Sequence, residues 1–134
     1  MSPGRGKQTR GAFPFACTLC KAPHIRDNSA MKNLFTDIPV ALPTEFFDTL
    51  VDTPSVCIQR IISKGHTTPE DDWYDQDKNE FVVLLKGAAT LEFEEGRVVS
   101  LAPGSWLEIP AHEKHRVAWT DENSETVWLA VHYT

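Results

Sequence analysis

The chain has 134 residues, 41% hydrophobic and 24% charged, which fits one globular domain with a core of its own. A net charge of −6 excludes non-specific nucleic-acid binding by the whole chain, and no apolar run is long enough to span a bilayer. Three cysteines, and a first thirty residues without an apolar leader, point to a reducing, cytoplasmic setting rather than a secreted disulfide scaffold.

Residues 1–30 hold five basic residues against one acid, whereas the remainder holds eight against eighteen. They show neither helical nor strand periodicity, so a basic, disordered arm is expected, followed by a folded domain over residues 31–134. Cys17, Cys20 and His24 in the arm suit zinc by residue type, but a closed structural site takes four ligands and no second Cys/His pair follows at a finger-like spacing. Two free thiols in a disordered arm are the simpler expectation. Further on, Thr44 reads as an N-cap with acids behind it, and Phe46, Phe47, Leu50 and Val51 then share one face. That pattern predicts a short N-terminal helix of about two turns, lying against the outside of the sheet that follows.

After Pro54 the period changes to two. Strands are expected near residues 56–62, 80–85, 90–94, 98–101, 106–109, 115–120 and 126–132. Turn signals separate them: Ser63-Lys64-Gly65, Lys86-Gly87, Glu95-Gly96, Pro103-Gly104 and residues 121–124. Many short strands with no long helix predict an all-β, antiparallel sandwich or barrel. Cys57 alternates with apolar neighbours and reads as a small buried side chain. The acids from Glu70 to Glu80 read as a solvated loop face, and the tryptophans as core or cavity wall. No phosphate-binding glycine loop, G-x-S-x-G elbow or Cys–His nucleophile pattern is present.

Two stretches carry the chemistry. Glu80 and Gly87 stand six residues apart, and Gly104 is followed after five residues by Pro110, with His115 five positions beyond. This spacing resembles the two-motif signature of the cupin superfamily, in its small single-domain form. The resemblance covers the chain from about Val56 to its end. It implies a double-stranded β-helix or jelly-roll barrel, commonly a homodimer, often with a divalent metal between the motifs. One departure matters: where the family places a His-x-His pair, this chain has Tyr74 and Gln76, or Trp73 and Asp75 at the alternative spacing.

Three alternatives stay open at this point. Gln76, Glu80 and His115 hold a zinc, manganese, iron or nickel ion, with Tyr74, Asp75 or water completing the shell. Displaced ligands such as His66 or Asp77 do so instead. Or no metal binds, and Tyr74, Gln76, Glu80 and His115 hold a small ligand. Alternation places Val117 and Trp119 on the same side as His115, which makes Trp119 the candidate to stack on a ligand. His112, in the loop beside His115, is a candidate extra ligand or proton shuttle, or a solvent-exposed residue. The expected function is binding of a small polar molecule in the barrel, with Glu80 and His115 as catalytic residues if the protein is an oxygenase, isomerase or decarboxylase. The alternative is a non-enzymatic binding or sensor barrel. No nucleic-acid or membrane partner is expected.

Overall fold

A computed structural model describes residues 31–134; the expected basic arm, with Cys17, Cys20 and His24, lies outside the described residues. Eight strands follow in order: β1 (Phe46–Asp52), β2 (Val56–Ser63), β3 (Asn79–Lys86), β4 (Ala89–Phe93), β5 (Val98–Leu101), β6 (Trp106–Ile109), β7 (His115–Thr120) and β8 (Thr126–Tyr133). The last seven coincide, within a residue at each end, with the strands expected from the alternating pattern. One sheet has five strands in the order β1-β2-β8-β3-β6, and the other has three in the order β5-β4-β7. Every pairing is antiparallel.

Alternation builds the interior. Val82 and Leu84 on β3, Leu91 and Phe93 on β4, and Trp128 and Ala130 on β8 are buried and pack in one cluster. On β3 and β4 their neighbours along the strand are less buried, as alternation requires. Cys57 is buried in β2 as expected. Among the described residues no helix is long and apolar enough to cross a membrane.

The short helix after Thr44 is not formed. Phe46–Asp52 is instead the edge strand β1, paired with β2 from Phe46↔Ile62 to Asp52↔Cys57. Two helical turns leave most of their backbone groups unsatisfied and are marginal alone, whereas a strand laid along β2 gains a full ladder. The pattern that looked helical comes from a register shift between Thr49 and Val51, which leaves Leu50 as an extra residue. The opposite side of β2 explains how the chain ahead of β1 is held. Arg60 is 4% exposed; its guanidinium donates to the carbonyls of Leu34 (3.0 Å) and Thr36 (2.7 Å) and to Asp48 (3.0 Å).

Gly87 closes β3. Its φ is +93°, and a Cβ there would lie 2.4 Å from Thr126 Oγ1 and 2.7 Å from Thr126 Cα. The chain thus turns at Lys86-Gly87 because only glycine fits against β8.

Candidate functional site

Between the two sheets lies a cavity of about 400 Å³, counting the part open to solvent. Its walls are apolar: Ile61, Val82, Leu91, Ile109, Val117 and Trp128. Four polar side chains reach it, Tyr74, Glu80, His115 and Glu45.

Glu80 sits on the inner side of β3, opposite Ile109 of β6 and His132 of β8. His115 begins β7 opposite Phe93, and its backbone exchanges two hydrogen bonds with Tyr74 (2.7 and 3.2 Å). The Tyr74 and Phe93 rings flank the imidazole, with centroids 5.6 and 6.0 Å away. Glu80 and His115 are 4% and 3% exposed, so the contacts between them are made out of water. The Gln76 amide donates to Glu80 Oε1 at 2.9 Å, and His115 Nε2 lies 3.5 Å from the same oxygen.

The other imidazole nitrogen settles the protonation. His115 Nδ1 is 3.0 Å from the Glu113 carbonyl, which only accepts, so Nδ1 carries a hydrogen. A bare lone pair on Nε2 would then face a carboxylate, which is repulsive. A proton on Nε2 removes the repulsion and makes the pair Glu80 carboxylate and His115 imidazolium. The electrostatics agree. Burial alone would raise the Glu80 carboxyl, but the His115 N–H, the positive charge of His132 and of His115, and the Gln76 amide outweigh it and bring it down to about 2. Burial would likewise lower His115, yet the adjoining Glu80 and the Glu113 carbonyl hold it above its usual range. His132, behind the pair, is pushed the other way by burial, below its usual range.

A catalytic zinc or related ion takes three protein ligands or more. Among the described residues no group of three His, Cys, Asp or Glu side chains is placed to hold one. Gln76, in one of the family's imidazole positions, presents its N–H to Glu80 rather than an oxygen to the cavity. The described residues do not fit the family's metal.

The remaining sequence candidates fall outside the cavity. Trp119 is 45% exposed, contrary to the expectation that it shares the His115 side of its strand. Opposite the step from Thr90 to Leu91, β7 carries an extra residue, Ala118, which turns Trp119 outward and Thr120 inward. His112 adopts a positive φ of 67° and pairs in solvent with Asp75 (2.8 Å). Asp77 is exposed. His66 accepts the Lys64 N–H at Nδ1 (2.9 Å), so its Nε2–H donates to the Leu42 carbonyl (3.1 Å), and it holds loops together.

Two groups escaped the sequence analysis. His132 was legible as the inner partner of Trp128 and Ala130 once β8 was recognised. Glu45 reads in the sequence as a first-turn helix acid. In the strand continuation it falls opposite Ser63, whose hydroxyl donates to Glu45 Oε2 at 2.6 Å; the Trp128 indole N–H in turn donates to that hydroxyl at 3.1 Å. Burial raises the Glu45 carboxyl against the pull of Ser63 and His66.

Comparison with known proteins agrees with this architecture. A candidate mannose-6-phosphate isomerase from Ralstonia eutropha JMP134 is 45% identical, with a TM-score of 0.74 over 78% of this chain and 97% of that one. An RmlC-like cupin family protein with a double-stranded β-helix fold, from Methanocaldococcus jannaschii, superposes at a TM-score of 0.57 and 19% identity over 72% of this chain and 86% of that one. The polyketide cyclase RemF of Streptomyces resistomycificus superposes at 0.56 and 22% identity, over 66% and 64%. No curated protein matches the chain. The Cupin domain family profile matches residues 60–132, more than half of the sequence, and with the two-sheet barrel and its motif positions in place the chain belongs to the cupin family.

Proposed function

We propose that this cupin binds a small organic molecule in its barrel and moves a proton on it, an isomerase-type reaction that needs no resident metal. The observation that carries the proposal is the buried Glu80–His115 pair facing an apolar cavity that opens to solvent. His115 is the acid, and Glu80 is the group that keeps it charged. A proton given from Nε2 leaves a neutral imidazole with Nδ1–H still held by Glu113. The freed Nε2 lone pair then takes a proton back from another atom of the same ligand, so no co-reactant is consumed. The 3.5 Å separation from Glu80 leaves the Nε2 proton loosely held and available to a ligand. The name of the 45% identical relative supports the isomerase class, though not a sugar-phosphate substrate.

A second reading is a binding barrel without turnover. It is favoured by the Glu80 carboxyl held at about 2, which makes that group a weak base.

The test is deuterium exchange into a panel of small ketones and aldehydes in D2O, followed by NMR. Exchange that His115→Gln abolishes while ligand affinity is kept supports the proposal. Saturable binding without exchange leaves the binding barrel. Protein purified without added ions is expected to hold less than about a tenth of an equivalent of metal. One equivalent, lost in Glu80→Gln, would overturn the metal-free mechanism.

A further inference from the structure

The cavity has two polar ends separated by an apolar waist. One end is the Glu80–His115 pair, already neutral as a whole. The other is Glu45, held in place by a directed chain of hydrogen bonds from Trp128 through Ser63. Between them Ile61, Val82, Leu91 and Val117 offer no polar atom to a ligand.

Charge narrows the class of occupant. Among the described residues no lysine or arginine lines the cavity. All three arginines of the described residues are committed to carboxylates: Arg60 to Asp48, Arg97 to Glu95 and Glu113, and Arg116 to Glu92. The described residues contain no helix, so no helix N-terminus supplies backbone N–H groups to an anion. A phosphate dianion in this space would lose its hydration and meet two carboxyl groups and one cation that is already paired, a large uncompensated cost.

We infer that the cavity takes an uncharged, mainly apolar small molecule bearing a hydroxyl or similar group that Glu45 engages, and that it excludes sugar phosphates. This rests on the proposal that the cavity is the functional site. The Glu45 end gives selectivity, because a half-buried carboxyl in the cavity wall favours a ligand hydroxyl over an analogue without one.

The test uses the full chain and three probes: p-cresol, toluene and mannose 6-phosphate. Binding is read from the Trp128 indole N–H and the His115 ring resonances. We expect p-cresol to bind about fivefold or more tighter than toluene, and mannose 6-phosphate to give no saturable shift. Glu45→Ala is expected to abolish the p-cresol preference. Glu45→Gln, which still hydrogen-bonds, is expected to keep most of it, and urea melts of both variants confirm that they are folded. Saturable binding of mannose 6-phosphate stronger than that of p-cresol would overturn the charge argument while leaving the cavity as the site. A p-cresol preference that survives Glu45→Ala would overturn the role of Glu45. If none of the probes perturbs either resonance, both the inference and the site assignment fail.

Discussion

Replacing Glu80 by Gln tests the electrostatic account most directly, because it keeps the shape and removes one charge. A carboxyl held below its ordinary value binds fewer protons folded than unfolded. Its stabilisation is therefore complete above the ordinary 4.5 and is lost as pH falls towards about 2. That interval, at about 1.4 kcal/mol for each pH unit, bounds the contribution at about 3 kcal/mol. Between pH 5 and pH 3 the wild type should lose about 2 kcal/mol from this group alone. His115, held above its ordinary value, stabilises below 6.5 and loses that contribution as pH rises through its folded value. His132, held below, does the opposite: its contribution is present above 6.5 and lost as pH falls through its folded value. Glu45, held above, works against Glu80 on the acid side and blunts the measured slope. The wild type should therefore be most stable near pH 6.5, with a steep acid limb. The assay is urea unfolding at pH steps from 3 to 8, for wild type and Glu80→Gln, with His115 followed by NMR. In Glu80→Gln the limb between pH 5 and 3 should flatten, and the His115 value should fall because its imidazolium stands buried without a counter-ion. Parallel acid limbs, or an unmoved His115, would refute the ion pair.

Three further outcomes follow from the packing. Gly87→Ala forces a Cβ into the Thr126 backbone at positive φ and should cost more than about 2 kcal/mol, whereas Gly104→Ala, with φ +94° but nothing within 4 Å, should cost about 1 kcal/mol; urea melts compare them. Arg60→Met should release the carbonyls of Leu34 and Thr36, costing about 3 kcal/mol and removing hydrogen-exchange protection from residues 34–37 ahead of global unfolding. Trp119→Ala should leave ligand affinity within about twofold of wild type in the probe titration, because the extra residue Ala118 turns this indole away from the cavity.

The fold was legible because its strongest signals are local and of period two, and because Gly87, which no other residue can replace against Thr126, fixes the end of β3 relative to Glu80. The site was less legible, for two physical reasons. Alternation carries a side-chain direction along a strand only until a bulge. Counting from His115 therefore gave Val117 correctly and Trp119 on the wrong face, and nothing in His115-Arg116-Val117-Ala118-Trp119 marks Ala118 as the extra residue. The bulge at Leu50 had the same effect on β1, breaking a strand pattern into one that resembles a helix and hiding Glu45 among first-turn acids. The second reason concerns donors. A motif spacing records where the barrel puts a side chain, and Gln76 does stand where it reaches Glu80. What it brings there is an N–H, so the same backbone that positions a metal ligand in other cupins here positions a hydrogen-bond donor that helps hold the Glu80 carboxylate ionised beside His115. The scaffold is conserved by geometry while the chemistry is set by which atom occupies each position, and for that reason the Glu80–His115 pair, rather than the family resemblance, carries the functional argument.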